Sequence, residues 1–375
     1  MLLFLLALQS SRLDGYSGTV AQSTMQSHVE LNVQPHTRTL ILIFVRYLGS
    51  KRKLLSFITD TIHNTIGTDL SQMTFCDLFA GTGIVARTFK PQVKKVIAND
   101  LEHYSYVLNR NYIGNHKNIQ GSQQHIDDLN KLSLVHNGFI YENYCMGGGT
   151  GRLYFSDDNG KKIDTIRQGI EKKRTIDGIC DDLYYFLLAS LLESTDKVAN
   201  NTCIYHSYLK HLTKTAQKPL VLEPATFALT KTAHRVFKEN ANTLIKRIKG
   251  DILYLDPPYT SKNYGCSYHL LNTIALYDNF VPAGITGQRE YQRSNWCVGS
   301  KVASEFDDLL RNARFKYIFM SYNNEGLMTP QTIEAIMSKH GKYDCVTTEY
   351  KRFKSDRSVA KKTKTVEYIH ILTKP

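Results

Sequence analysis

The chain lacks the cysteine patterns that mark a disulfide framework or a structural zinc site. Its seven cysteines are odd in number, scattered along 375 residues and free of any C-x-x-C pair. A disulfide-stapled domain is therefore a poor fit, and a reducing compartment such as the cytoplasm is expected. Cys203, His206 and His211 lie close together, but no fourth ligand follows at the usual spacing, so we expect no metal.

Long hydrophobic runs and a surplus of acid are also missing. The apolar stretches 1–8 and 40–45 are too short to span a bilayer, and no basic residues precede the first as in a signal peptide. Lysine and arginine outnumber aspartate and glutamate by 47 to 34, which gives a net charge of +13. This excess predicts a polyanionic partner, with nucleic acid ahead of a membrane surface, although a merely basic protein has the same composition.

The first 44 residues carry little periodicity and many polar side chains. We expect them to form an N-terminal extension without regular structure, and Met25 is an alternative start. The stretch 40–45 is also compatible with a short buried strand. The remaining length is enough for one large domain with an insertion, or for two domains.

Regular periodicity then predicts a helix over 53–66, a buried strand over 73–79 and a short helix over 84–89. A second strand is expected at 95–99 and a further helix at 101–112. A strand, a glycine turn, a helix and another strand form a βαβ unit, so the sequence predicts a parallel sheet with a right-handed crossover.

The pattern weakens between about 119 and 249, apart from one buried helix over 182–193. This middle region indicates a separate subdomain or a large insertion. Sheet-like order then returns, and the elements expected are strands at 251–255, 315–321, 343–350 and 365–372 and helices at 304–313 and 329–339. Thr329 and Pro330 are typical of a helix cap followed by a first-turn proline.

The stretch "CDLFAGTGIVA", Cys76 to Ala86, places two glycines between a strand and a helix. Gly81 and Gly83 let a ligand approach the backbone and the helix N-terminus. The third glycine of the dinucleotide fingerprint is missing, because Ala86 stands where it is expected. The turn is compatible with a nucleotide-type ligand, with a phosphate or with tight local geometry alone.

Asp100 closes the second strand of the βαβ unit. An acid in this position accepts hydrogen bonds from ribose hydroxyls in doubly wound folds. The alternative is an N-cap for the helix that follows from residue 101, and the two roles are compatible with each other.

The stretch "LYLDPPYT" ends a third strand on an acid and two prolines. A parallel sheet would carry Asp256 to the edge where such folds bind ligands. Pro257 and Pro258 donate no backbone hydrogen bond and leave rigid carbonyls, and Tyr259 offers a ring for stacking. Together they suit a flipped-out base, whose amino hydrogens a carboxylate and a carbonyl would accept. A proline-rich loop with an incidental acid is the alternative.

Four segments in this order resemble the Dam-like, alpha-class DNA adenine-N6 methyltransferases. They are "RYLGSKRKLL", "DLFAGTG", "DPPY" and "YIFMSYNNEG". The resemblance covers residues 45 to 375. It implies an α/β, Rossmann-like fold of S-adenosyl-L-methionine-dependent methyltransferases, with a mixed, mostly parallel seven-stranded sheet and an inserted target-recognition domain. The implied divisions are an extension over 1–44, a catalytic domain over 45–120 and 250–375, and a recognition region over 121–249.

The resemblance also implies roles for single residues. The catalytic positions are Asp256, Pro257 and Tyr259, and the expected cofactor contacts are Tyr47, Lys51, Asp77, Phe79, Gly81, Gly83, Asp100 and Asp256. Tyr47 stands where Dam enzymes more often have tryptophan, which keeps stacking possible. No metal is implied.

The implied activity is site-specific transfer of a methyl group from S-adenosyl-L-methionine to the N6 amino group of adenine in double-stranded DNA. The family also implies a restriction–modification system with a cognate restriction endonuclease, in the cytoplasm of a bacterium. Two alternatives stay open: an RNA adenine-N6 methyltransferase, since DPPY occurs there too, and a non-catalytic DNA-binding relative. Basic clusters at 51–53, 172–174, 351–354 and 361–364 are candidates for phosphate contacts.

Overall fold

The computed structural model describes residues 49–350 and 365–375. The possible strand at 40–45, the cofactor contact predicted for Tyr47 and the basic segment 351–364 lie outside the described residues.

Seven strands form one sheet in the order β3-β2-β1-β4-β5-β7-β6. The strands are β1 (Thr74–Asp77), β2 (Lys95–Asn99), β3 (Arg235–Phe237), β4 (Lys249–Leu255), β5 (Arg314–Asn323), β6 (Lys342–Tyr350) and β7 (Thr365–Thr373). The first five run parallel, and β7 lies antiparallel to both β5 and β6. The expectation of a mixed, mostly parallel seven-stranded sheet is confirmed.

Twelve α-helices surround the sheet within the described residues. They are α1 (Leu55–Ile66), α2 (Ile84–Phe89), α3 (His103–Asn109), α4 (Ser122–Lys131), α5 (Phe139–Tyr144), α6 (Asp157–Thr175), α7 (Asp181–Lys197), α8 (Ala241–Leu244), α9 (Tyr264–Ser267), α10 (His269–Leu276), α11 (Gly299–Asn312) and α12 (Pro330–Met337). No helix in 49–350 or 365–375 has both the length and the apolar character needed to cross a membrane.

Both faces of the sheet are covered, as a buried parallel strand requires. Along β4, Ile252 and Tyr254 face a core that α1 and α2 complete. Leu253 and Leu255 face the opposite core, which α8, α11 and α12 cover. This alternation fixes the register of β4, and with it the position at which the chain leaves the sheet after Leu255.

Several expected elements appear with shifted ends. A 3-10 turn at Lys51–Leu54 precedes α1, and the helix expected over 101–112 begins two residues late and continues as a π-helical turn at Arg110–Gly114. The start of α12 is as predicted, since the hydroxyl of Thr329 accepts from the amide of Thr332 at 3.2 Å. Pro330 then needs no donor in the first turn.

The middle region 121–249 contributes both helices and a strand. Its longest helices, α6 and α7, pack in a third core together with α3 and α10. The same region also contains β3, which pairs with β2 at one edge of the sheet. The assignment of 121–249 to target recognition stays a prediction.

Candidate active site at the carboxyl ends of the central strands

The parallel register brings the ends of three strands to one edge of the sheet. Asp77 pairs with Ala98 of β2 and with Tyr254 of β4. The loops that follow β1, β2 and β4 therefore open on the same side, where the chain forms a cleft of about 920 Å³, including solvent at its mouth. Six of the predicted site residues line this cleft: Lys51, Asp77, Phe79, Gly81, Asp100 and Asp256.

The glycine turn after β1 adopts a conformation that other residues resist. Gly81 and Gly83 have φ of 52° and 76°. A Cβ on Gly83 would collide with the side-chain oxygen of Asn109. The Asn109 amide in turn donates to the Gly81 carbonyl at 3.0 Å. The turn is thus held from behind by α3, while Gly81 faces the cleft.

Asp77 is the buried anchor of this turn. One oxygen, Oδ2, accepts from the amide of Ala86 in α2 at 3.1 Å. The other, Oδ1, is buried and has no hydrogen-bond partner among the described residues. Burial, together with the negative charge of Asp256, raises the pKa of Asp77 to about 8. A buried carboxyl oxygen that lacks a partner marks a place where a ligand donor would be stabilised.

Asp100 is held by two backbone amides at the end of β2. Its carboxylate accepts from Gly81 at 2.8 Å and from Glu102 at 3.0 Å. Burial raises the pKa of Asp100, and these hydrogen bonds oppose the rise. The alternative role as an N-cap for a helix from residue 101 is wrong, because α3 begins at His103 with Glu102 in the cap position.

Asp256 leaves β4 and meets two donors at once. Its Oδ1 atom accepts from the Lys51 ammonium and from the Tyr259 hydroxyl, each at 2.8 Å. Lys51 is only 4% exposed, and its Nζ also donates to the carbonyl of Gly49 at 3.2 Å. The same Nζ lies 4.9 Å from the centre of the Tyr259 ring. Because Lys51 is buried here, it is not one of the phosphate contacts predicted for the cluster 51–53.

The two other predicted catalytic positions lie beside the cleft. Tyr259 packs against Tyr322 of β5, with ring centres 4.7 Å apart. The side of the loop that lines the cleft is formed by Pro258, whereas Pro257 and Gly83 are not among the lining residues. The roles of Pro257 and Tyr259 stay predictions.

One wall of the cleft is formed by two segments that lie far along the chain from the predicted motifs, and the sequence did not predict it. Asn99 binds the backbone of Glu239 in both directions, at 3.0 and 3.1 Å, and so holds the loop before α8 against the cleft. Trp296 packs edge-on against Phe79 with ring centres 5.0 Å apart. Both contacts join positions far apart in the chain, and no local pattern signals them.

Glu102 is a further acid of the cleft, and no sequence motif pointed to it. It lines the cleft and accepts from the amide of Asn272 at 2.6 Å. Burial raises the pKa of Glu102 to about 7. With Asp77, Asp100, Glu239 and Asp256, the cleft has five carboxyl groups, and Lys51 is the one cation among its lining residues in the described part of the chain. Such a surplus of acid favours a positively charged ligand.

The mostly parallel seven-stranded sheet, with a glycine turn and three carboxyl groups at the ends of its central strands, defines a Rossmann-like methyltransferase fold. The family model of the D12 class N6 adenine-specific DNA methyltransferases matches residues 47–336, and the chain belongs to this family. The resemblance drawn from the four sequence segments is confirmed.

Curated relatives agree with the family match. The chain is 54% identical to the Type II methyltransferase M.NlaIII of Neisseria lactamica, over 88% of this chain and 99% of that protein. It is 38% identical to M.CviAII of Paramecium bursaria Chlorella virus 1, over 84% and 94%. M.FokI of Planomicrobium okeanokoites is 35% identical over 83% of this chain, which spans 50% of that longer protein. The protein is therefore a DNA methyltransferase of the N6-adenine class.

Proposed function

We propose that the protein transfers the methyl group of S-adenosyl-L-methionine to the N6 amino group of adenine at a specific site in double-stranded DNA. The observation that carries this proposal is the shared cleft, in which the acid of DPPY faces the glycine turn after β1. The names of the relatives as Type II methyltransferases support a role as the modification component of a restriction–modification system. A cognate restriction endonuclease and a bacterial cytoplasmic location follow from that role.

The cleft fits the proposed cofactor in charge and in the aromatic surface it offers. S-adenosyl-L-methionine supplies an activated methyl group on a positively charged sulfur and also carries an ammonium group. The Oδ1 atom of Asp77, which has no hydrogen-bond partner among the described residues, would accept from that ammonium, and Asp100 would accept from ribose hydroxyls. Phe79 and Trp296 offer aromatic surface beside the same space.

The residues of DPPY then act on the target base. The amino nitrogen of adenine is a weak nucleophile, because its lone pair is delocalised into the ring. Asp256 and the carbonyl of Pro257 accept the two amino hydrogens, which draws the nitrogen toward a tetrahedral shape and frees the lone pair. Tyr259 stacks on the flipped base and, through its hydroxyl, orients the carboxylate of Asp256.

Asp256 does not need to be a strong base. The nitrogen becomes acidic as it gains the methyl group, and the proton passes to Asp256 and then to water at the mouth of the cleft. The Asp256 side chain is 21% exposed, which leaves a route for that proton. Positioning of the amino group supplies much of the rate, so no metal or covalent intermediate is required.

Methyl transfer from a labelled donor tests the proposal directly. Unmethylated duplex DNA should accept label at adenine N6, whereas RNA of the same sequence should not. Asp256→Ala should lower the rate at least about 100-fold with little change in folding, since it removes a hydrogen-bond acceptor of the reacting nitrogen. Binding of DNA without any transfer would instead support the non-catalytic alternative, and preferential labelling of RNA would support an RNA methyltransferase.

A further inference from the structure

A second buried carboxylate approaches the active-site lysine from the far end of the chain. Glu367 lies in β7, opposite Asn323 of β5 and Thr348 of β6. It is 8% exposed. This residue lies beyond the 47–336 region that the family model matches, and no sequence motif pointed to it.

The direction of β7 carries Glu367 to the catalytic edge of the sheet. The strand is antiparallel to β5, so its first residues lie beside the carboxyl end of β5. Side chains two apart in a strand share a face. Ile369 and Ile371 share the face of Glu367, and both pack in the core that contains Leu54 and Tyr254. Glu367 therefore points to the side of the sheet on which the Lys51–Leu54 turn and Tyr254 lie.

The charges of this corner act on one another. The pKa of Glu367 is raised by burial, lowered by the ammonium of Lys51 and raised by the carboxylate of Asp256. A side-chain hydrogen bond with Asn323 lowers it as well. The Oε2 atom is buried and has no hydrogen-bond partner among the residues that the structure describes. An ionised carboxylate left in this state is unfavourable unless a cation reaches it.

Lys51 is the cation at hand. An ammonium group has three N–H donors, and the structure uses two of them, toward the carbonyl of Gly49 and the Oδ1 atom of Asp256. At Asp256 the lysine shares Oδ1 with the Tyr259 hydroxyl, so both lone pairs of that oxygen are engaged. While the ammonium stays there, it also neutralises the charge with which Asp256 would attract an amino hydrogen.

We propose that Glu367 is a positioning residue that acts through Lys51. Its free oxygen is a second acceptor for the ammonium, and movement of Lys51 from Asp256 toward Glu367 leaves Asp256 free to bind the amino group of the target base. The inference rests on the proposed role of Asp256 in adenine methylation. In this proposal β7 contributes a positioning residue that lies outside both the DPPY motif and the glycine turn.

Single-turnover methyl transfer, at saturating cofactor and DNA, tests the proposal with Glu367→Gln. The glutamine keeps the size of the side chain but cannot hold the ammonium as an ion pair. We expect the rate to fall about 10-fold or more, with cofactor affinity changed less than about threefold, because the ground-state cofactor contacts are untouched. Glu349→Gln removes an exposed carboxylate from the neighbouring strand β6 and is the matched control.

Dependence on Lys51 separates this role from a purely structural one. In a Lys51→Met background, Glu367→Gln should cause no further loss of rate, because the partner through which it acts is gone. An equal loss in both backgrounds would overturn the proposal. So would a rate for Glu367→Gln within about twofold of the Glu349→Gln control.

A structure of the native protein with DNA and S-adenosyl-L-homocysteine gives a second test that does not depend on any variant folding. Lys51 Nζ should then lie within hydrogen-bonding distance of a Glu367 carboxylate oxygen, and finding it still on Asp256 Oδ1 contradicts the inference. Asp256→Ala separates a failure of the proposed catalytic role of Asp256 from a failure of the proposed role of Glu367. A fully active Asp256→Ala enzyme refutes the proposed catalytic role, whereas an inactive one combined with a normal Glu367→Gln enzyme refutes only the role of Glu367.

Discussion

At the scale of single residues, the site is defined by buried and half-buried carboxyl groups whose surroundings differ. Asp100 is satisfied by two amides, Asp256 by a lysine and a tyrosine, and Asp77 by one amide alone. Asp100 and Asp256 could be identified from the sequence because each directly follows a predicted strand, whereas Asp77, inside the strand expected over 73–79, was implied by the family resemblance alone. The sequence did not show the state of their oxygens, which depends on partners from other elements.

Asp77 should make stability depend on pH. A carboxyl group whose pKa is raised by folding stabilises the native state fully only below its unfolded pKa of about 4, and that contribution is lost as pH rises. With a folded pKa of about 8, the loss extends from about pH 4 to pH 8. Asp77→Asn should flatten this dependence in urea unfolding of the ligand-free protein.

The control for this measurement is Asp60→Asn, which makes the same chemical change at an exposed position of α1. The control should retain the fall in unfolding free energy between about pH 4 and pH 8 that is expected of the native protein. Parallel curves for Asp77→Asn and Asp60→Asn would mean that Asp77 does not titrate in this range.

At the scale of elements, the glycine turn between β1 and α2 is the most constrained feature of the cleft. Gly83 and Gly121 both occupy the position before a helix, with φ of 76° and 70°. A Cβ on Gly121 meets nothing within 4 Å, whereas one on Gly83 strikes Asn109. Comparing the two glycines therefore separates the cost of the left-handed backbone, which both share, from the steric clash, which only Gly83 has.

Replacing each glycine by alanine should reveal that difference. Gly121→Ala should lower the free energy of unfolding by about 1 kcal/mol, the cost of the left-handed backbone. Gly83→Ala should cost at least about 2 kcal/mol and also weaken cofactor binding, because Asn109 and the Gly81 carbonyl that it holds must shift. Urea unfolding and cofactor titration measure both effects, and equal losses for the two variants would exclude the steric contribution.

Strands and helices with a local hydrophobic pattern could be predicted from the sequence, whereas features that depend on contacts between distant residues could not. The strands ending at Asp77, Asn99 and Leu255 were expected from short apolar runs, and the cap of α12 from Thr329 and Pro330. Strand β3 was missed, because its three residues, Arg235–Phe237, carry no period and pair only at the edge of the sheet. The approach of Glu367 to Lys51 could not be foreseen either, since it depends on how β7 is threaded.

At the scale of the whole molecule, the excess of positive charge bears on DNA binding and not on how the chain folds. The chain carries +13 in total, whereas its cleft is lined by five carboxyl groups and one lysine within the described residues. DNA affinity should fall about 100-fold or more between roughly 50 and 200 mM salt, as phosphate contacts release counterions. Cofactor affinity should change far less, and a similar salt dependence for both ligands would argue against a phosphate-binding surface.

The cluster 172–174 can be tested within this framework. Lys173 and Arg174 lie near Asp128 and Asp181, while Lys172 is exposed at the end of α6. If Lys172 contacts a phosphate, Lys172→Gln should reduce the slope of log affinity against log salt by about 1. Lys246→Gln is the control. Lys246 is exposed just before β4 begins, at the end of that strand away from the cleft, so the slope should stay unchanged.

The third hydrophobic core has a practical consequence for engineering sequence preference. Side chains of α6 and α7 share that core with α3, which belongs to the βαβ unit, and with α10, which follows DPPY. An exchange of residues 121–249 between relatives would therefore cut through a packed interior and leave mismatched halves. Chimeras that transfer α3 and α10 together with the middle region keep the interior intact, and they are the ones that should remain folded.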